Sequence, residues 1–287
     1  MTTLVIGKSG QLANELKLLL PSSTTFFGSQ DIDLFDQEAL EATLVTFNPR
    51  AIINAAAYTA VDGAESDKEN AFQLNALAVE NLATFCKSNN CFLVHVSTDY
   101  VFNGTKGVPY LPDDELEPGS VYGESKAAGE SFLQSILGEQ STLIRTSWVY
   151  SQYGNNFVKT MLRLMSEKPK LNVIDDQIGS PTWAKGLAQV CIEASRKREI
   201  GVFHWTDEGV ASWYDFACAI QTLAIEKGML SNKIPINPIP TEQYPTPAER
   251  PHYSVLDKVK TRKSFSTRNK HWYQNLSEMM DELHTTT

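Results

Sequence analysis

Cysteine is scarce in this chain. Its four thiols, Cys86, Cys91, Cys191 and Cys218, form no Cys-x-x-Cys pair, and no histidine stands at ligand spacing beside them. That excludes a zinc ribbon or a disulfide framework and reads as reduced structural thiols of a cytosolic protein. Positive charge is also short. Twenty-five Lys and Arg stand against 34 Asp and Glu, a net charge of −9, so no basic face is available for nucleic acid or for an anionic membrane surface. No apolar run approaches the roughly 20 residues of a membrane-crossing helix. The start of the chain lacks the basic, apolar and small-residue sequence of a signal peptide, so none is expected. Internal repeats and low-complexity tracts are absent too. A small anionic ligand stays compatible with this charge, provided that backbone N–H groups or a few cations meet it locally.

What is present is an alternation of short apolar runs with helical patterns. Strands are expected over residues 3–6, 25–27, 51–54, 91–97 and 141–145, and helices over 11–20, 37–47, 69–89 and 125–137. Strands separated by helices of this length predict right-handed βαβ units and a parallel sheet covered on both faces. The fold class is therefore α/β, a Rossmann-type doubly wound sheet with a smaller, discontinuous C-terminal substrate domain. Residues 1–147 and 175–204 are expected to form the dinucleotide-binding part, and residues 148–174 and 205–287 the substrate-binding part. In the second half, helices are expected over 156–166, 181–196, 213–226 and 272–284, and strands over 171–174 and 201–205. Residues 234–251 hold six prolines and read as an extended, semi-rigid loop.

The run Val5-Ile6-Gly7-Lys8-Ser9-Gly10-Gln11-Leu12-Ala13 follows the first strand and opens the first helix. Gly7 allows the tight turn, Gly10 lets backbone approach a pyrophosphate, and Ala13 lets helix and strand come close. The free N–H groups of the helix start face the anion. In such folds an acid at the end of the second strand holds the ribose hydroxyls of NAD. Here the strand ends at Phe27-Gly28-Ser29 and the acids Asp31 and Asp33 come later, which leaves both NADH and NADPH open.

Tyr122 is the one tyrosine of ten with a lysine four residues on, Lys126, and on a helix the two share a face. A phenol titrates near ~10, and a neighbouring ammonium would lower that value, so that Tyr122 could hand a proton to a ketone oxygen. Thr98, at the carboxyl end of the strand that closes on Ser97-Thr98-Asp99-Tyr100, faces the same crevice and could orient that ketone.

In this order, these segments resemble the extended short-chain dehydrogenase/reductase family. Within it, the stretches 54–62, 97–102, 145–150, 154–157, 176–182 and 244–251 are similar to the dTDP-4-dehydrorhamnose reductases, over nearly the whole chain. The resemblance implies reduction of the C4 keto group of dTDP-4-dehydro-β-L-rhamnose to dTDP-β-L-rhamnose by NADPH or NADH. It implies that Gly7, Gly10, Gln11, Leu12, Asp33, Leu34, Ala57, Tyr58 and Thr59 line the cofactor together with Tyr122 and Lys126. Thr98, Tyr122 and Lys126 would be catalytic, and Thr98, Asp99 and Trp148 would touch the sugar. Arg250 and, second to it, Lys159 are candidates for the diphosphate, because a guanidinium fork suits phosphate oxygens. Asn75 would support the site from its helix. Some members are expected to bridge a homodimer through a magnesium ion held by glutamates. Glu15 and Glu282 match two such positions, but the third is Lys185, which cannot be an acid ligand, so no metal is expected. The loop 117–121, with Gly119 and Ser120, also departs from the usual form. Two alternatives stay open: another nucleotide-sugar reductase or epimerase, and a non-catalytic cofactor-binding regulatory subunit.

Overall fold

The structure, a computed structural model, describes residues 2–286. Met1 and Thr287, the outermost residues of the two expected parts, lie outside the described residues. The first half runs β1 (Thr3–Ile6), α1 (Gln11–Leu19), β2 (Thr25–Phe27), α2 (Gln37–Phe47) and β3 (Ala51–Asn54). It continues through α3 (Val61–Ala64), α4 (Lys68–Phe72), a π-helical turn Gln73–Leu77, α5 (Ala78–Ser88), β4 (Phe92–Thr98), α6 (Val121–Leu137) and β5 (Ser141–Thr146). The second half holds β6 (Val149–Tyr150), α7 (Phe157–Glu167), β7 (Leu171–Ile174), β8 (Ile178–Gly179), β9 (Thr182–Trp183), α8 (Ala184–Lys197) and β10 (Gly201–His204). It ends with β11 (Ala211–Ser212), α9 (Trp213–Glu226), β12 (Ile236–Ile239), α10 (Val259–Ser264) and α11 (Trp272–Thr286).

Six strands form one parallel sheet in the order β10-β5-β4-β3-β1-β2. Alternation along β1 explains why both faces are covered. Leu4 and Ile6 point into a core shared with Leu40, Val79, Leu82 and Leu133, whereas Val5 points into one shared with Leu16, Ile53, Leu187 and Val190. The first core lies under α2, α5 and α6 and the second under α1 and α8. A third cluster, with Val158, Phe216, Ile220, Leu276 and Met279, joins α7, α9 and α11. Because β2 and β3 flank β1 on opposite sides, the chain reverses direction across the sheet there. A crevice opens at the carboxyl ends of β1 and β3, where open α/β sheets bind ligands.

Three expectations are corrected. The helix expected over 69–89 is broken by the π-helical turn, which displaces Asn75 from a regular helical position. The helix expected from residue 125 starts at Val121, because the Ser120 hydroxyl accepts the Gly123 N–H and caps it. The proline-rich loop contains a strand: β12 pairs parallel with β7, Pro238 opposite Val173, which a short two-stranded edge tolerates. Helix α6 also lies unusually close to its neighbour. A Cβ on Gly129 would run into the Asn75 carbonyl oxygen, so this position must be glycine for α6 to dock on the π turn.

Candidate active site

Gly7 turns the chain out of β1 at φ +109, where a Cβ would come within 3.0 Å of the Ala55 carbonyl carbon. Gly10 stands at the start of α1, which no side chain caps, and a Cβ there would meet nothing. Two lobes of one groove meet at Gly10 and residues 55–57. The lobe of about 780 Å³ is lined by Gly7, Lys8, Gly28, Asp31, Asp33 and Leu34. The other, about 670 Å³, is lined by Gln11, Leu12, Thr98, Tyr122, Lys126 and Trp148, among others.

The acids after β2 are engaged locally. Asp31 accepts the Gly28 N–H at 2.8 Å and Lys8 Nζ at 3.2 Å, and these bonds, the backbone one first, hold its carboxyl below the usual range. Asp33 accepts the Phe35 N–H at 2.9 Å. After β3, Ala57 and Thr59 line the groove. Tyr58 does not line it: its phenol turns to Asp67, while its backbone N–H and carbonyl are both held by the Asn75 side chain at 2.9 and 3.0 Å. Asn75 also donates to Ser125 Oγ at 3.0 Å, so one amide ties the loop after β3 to α6.

Thr98, Tyr122 and Lys126 converge on the second lobe. Thr98 ends β4, and its hydroxyl donates to Asp99 Oδ1 at 3.0 Å and meets the Tyr122 phenol. Asp99 is buried, which pushes its carboxyl up to about 6 against hydrogen bonds from Ser254 and Thr98. The expected acidification of Tyr122 does not hold in this state. Burial pushes its phenol up to about 12, opposed by the Thr98 hydrogen bond and aided by Asp99, because the Lys126 ammonium is turned away to the Val96 carbonyl at 2.7 Å. Tyr122 is therefore held protonated, the form that a proton donor requires. Burial likewise pulls Lys126 down to about 8, with Glu130 one turn further on opposing.

The second lobe carries two indoles. Trp148 adopts φ +47, a strained conformation for a bulky residue, and stacks on Trp213 with ring centroids 3.5 Å apart and planes 7° from parallel. Trp213 was missed at the sequence level. Its only signal is the Ser212–Asp215 capping box that starts α9 and aims its first residue at the groove. Also missed was Glu130, whose carboxylate takes Arg145 Nε and Nη2 at 3.1 and 2.7 Å with both side chains buried, locking α6 onto β5.

Arg250 does not line either lobe. Its guanidinium forks onto Asp62 at 3.0 and 2.7 Å, beside Val61 and Tyr100 of the rim. Lys159 is further away, with Nζ 3.3 Å from the Gln152 carbonyl. At the positions where the resemblance implies magnesium, Lys185 Nζ sits 2.5 Å from Glu282 Oε1. Glu15, buried and pushed up by that burial, accepts Ser151 Oγ at 2.7 Å. An ammonium already supplies positive charge there, so these residues do not fit a divalent cation. Among the described residues no cluster of His, Cys, Asp and Glu is arranged to hold a metal ion, and no helix is long and apolar enough to cross a membrane.

A parallel sheet with a glycine turn at its reversal point, and a Thr-Tyr-Lys set on the wall of the resulting crevice, define a dinucleotide-binding scaffold of the short-chain reductase type. More narrowly, the family model described as the RmlD substrate binding domain matches residues 1–285, and the chain belongs to that family. It is 39% identical over 286 residues to a dTDP-4-dehydrorhamnose reductase of Aggregatibacter actinomycetemcomitans, covering 96% of this chain and 97% of that protein. Its structure superposes on a dTDP-4-dehydrorhamnose reductase of Clostridium acetobutylicum with a TM-score of 0.93 at 36% identity, covering 99% of this chain and 100% of the other. A third relative, the dTDP-4-dehydrorhamnose reductase of Bacillus anthracis in complex with NADP, gives a TM-score of 0.91 at 32% identity, with 98% of each chain covered.

Proposed function

We propose that this protein reduces the C4 keto group of dTDP-4-dehydro-β-L-rhamnose to the hydroxyl of dTDP-β-L-rhamnose, with NADPH or NADH as reductant. The observation that carries this reading is the convergence of Thr98, a protonated Tyr122 and Lys126 on one lobe of a groove whose other lobe is built on Gly7 and the open start of α1. The nicotinamide cofactor, held by the Gly7 turn and the open start of α1, would supply hydride to the carbonyl carbon. Tyr122 gives its phenolic proton to the carbonyl oxygen, and Thr98, whose hydroxyl lies on the same lobe, turns from Asp99 to hold that oxygen in place. Lys126 stands one helical turn away to stabilise the phenolate left behind. Asp99 and Trp148 hold the sugar, the indole offering apolar area and one donor. Arg250, at the rim beside Tyr100, meets the diphosphate by exchanging its fork from Asp62 to phosphate oxygens. The separate apolar cluster of α7, α9 and α11 supports a substrate-binding part made from residues 148–174 and 205–287. A cytosolic setting, expected from the cysteine usage, goes with this reading.

The test is incubation with the keto sugar and NADPH, followed by absorbance at 340 nm and by NMR of the product. Stoichiometric cofactor loss with formation of the rhamnose product is expected. Isomerisation without net cofactor loss, or binding without turnover, refutes the reading. Tyr122→Phe is expected to keep cofactor affinity and lose at least about 100-fold in kcat, the size of a general-acid contribution. A wild-type rate removes the proton-donor role.

A further inference from the structure

Beneath the reactive groups lies a buried chain of polar atoms. The Ala56 N–H donates to Asn54 Oδ1 at 3.1 Å, which fixes the orientation of that amide. Asn54 Nδ2 then faces His95 Nδ1 at 3.1 Å, and His95 Nε2 faces Lys126 Nζ at 3.5 Å. Asn54, His95 and Lys126 are 2%, 0% and 1% exposed, so water does not compete for these contacts.

The polarity of the chain follows. Turning the Asn54 amide over would set its NH₂ against the Ala56 N–H and lose a hydrogen bond, so the amide presents a donor to the histidine. His95 must accept at Nδ1. A neutral imidazole that accepts at Nδ1 carries its proton on Nε2. That N–H points at the Lys126 nitrogen, which is a donor too while it is an ammonium but an acceptor once it is an amine. Charge on the histidine is disfavoured both by its burial and by the lysine. We propose that His95 is a positioning residue: its Nε2–H, oriented through Asn54 by the backbone of the loop after β3, faces Lys126 and eases loss of the lysine proton, thereby setting the alkaline limit of catalysis. The catalytic consequence rests on the reductase reading; the tautomer and the lysine titration do not.

The other groups around Lys126 are accounted for. On α6, Tyr122 precedes it by a turn and is protonated, and Glu130 follows by a turn with its charge matched by Arg145 of β5. Asp99 and Tyr100, in the turn after β4, line the same lobe. From β4 the contacts are the Val96 carbonyl, which favours the ammonium, and His95, which disfavours it. The Val96 contact is backbone and cannot be changed by substitution, so the side chain at 95 is the adjustable one.

The experiment uses the full chain without substrate. Histidine labelled with ¹⁵N reports the tautomer of His95, its signal identified by loss in His95→Gln. An Nε2–H tautomer that persists between pH 5 and 9 is expected; an Nδ1–H tautomer or an imidazolium overturns the proposal. Lysine labelled with ¹³C reports the titration of Lys126, identified by loss in Lys126→Met. In His95→Leu, which removes the N–H and leaves the site dry, and in His95→Gln, whose carbonyl can accept, the midpoint is expected to rise by about one pH unit, roughly tenfold in the equilibrium. The alkaline limb of kcat/KM should rise with it. A midpoint unchanged in both variants refutes the assignment, as does an unmoved alkaline limb beside a raised midpoint. Should one variant fold poorly, the other and the wild-type tautomer still decide. Absence of turnover in the wild-type protein would fail the reductase reading and leave the two NMR results standing.

Discussion

Gly179→Ala is a sharp probe of the lobe proposed to hold the sugar. A Cβ at this position would lie 2.7, 2.8 and 2.9 Å from Cε2, Nε1 and Cζ2 of Trp148, well inside van der Waals contact. The backbone of Gly179 cannot withdraw, because β8 pairs with β11 through Ala211 and the Ile178 N–H is bound to the His252 carbonyl at 2.7 Å. The indole must therefore move by about 1 Å to restore ordinary contact. One side is closed by Trp213, stacked at 3.5 Å and itself held by its Nε1 donating to Gln177 at 3.2 Å. Movement into the groove, or loss of the stack, is what remains. Overpacking of this kind costs about 1–3 kcal/mol. If about 1.4 kcal/mol of it falls on sugar binding, KM for the keto sugar rises about tenfold. The lobe at Gly7 and Gly10, proposed to hold the cofactor, is untouched, so the dissociation constant for NADPH should not change. Steady-state kinetics with each substrate varied, beside a fluorescence titration with NADPH, separates the two. A variant with wild-type KM for the sugar refutes Trp148 as part of the sugar site. A parallel loss of NADPH affinity refutes the division of the groove into two lobes.

Other outcomes follow from single contacts. Glu130→Ala leaves the Arg145 guanidinium buried without its carboxylate and should cost about 3–5 kcal/mol in urea denaturation; a loss below about 1 kcal/mol would show that the pair does not lock α6 to β5. Burial raises Asp207 from 3.8 to about 7, so between those values the folded protein binds a proton that the unfolded chain does not. Its contribution to stability is thus present at low pH and is lost as pH rises toward 7. The buried His204, lowered to about 3, acts in the opposite sense, so the readout is the difference between wild type and Asp207→Asn in denaturation at pH 5 and pH 8. No change in slope refutes the assignment. Lys8 and Asp31 bracket the lobe after β2. Lys8→Ala should lower the preference for NADPH over NADH several-fold and Asp31→Ser should raise it, as read from kcat/KM with each cofactor; unchanged ratios would place the ribose phosphate elsewhere.

The sheet was legible because its physics is local and repetitive. β1, β2, β3 and α2 fall on the expected residues, since apolar alternation and the stop at Asn48-Pro49 depend on no distant partner. Legibility failed where tertiary contact overrode periodicity. The stripe over 69–89 is helical throughout, and nothing in it announces the π turn, which is shaped by Gly129 of a helix some fifty residues later. β12 was hidden because proline argues against strands, and its pairing with β7 bridges 65 residues between Asn172 and Asn237.

Thr98, Tyr122 and Lys126 were singled out for a different reason, the four-residue Tyr–Lys spacing and a hydroxyl at a strand end, and the structure brings all three to one lobe. The groups that tune them have no such signature. Glu130 lies four residues after Lys126 and reads as an exposed helix pair, yet it points inward at Arg145, 15 positions away. His95 sits in the apolar run of β4 and reads as a core histidine. Its significance appears only when Asn54, 41 residues earlier, is seen to dictate which nitrogen holds the proton. The expected effect of Lys126 on Tyr122 failed on the same ground. Spacing along a helix says which side chains share a face, not where their polar ends go, and here the Val96 carbonyl draws the ammonium away from the phenol. Stabilising a phenolate at Tyr122 therefore demands that Lys126 turn back toward it, and the energy of that turn depends on the carbonyl it leaves and on the histidine N–H behind it.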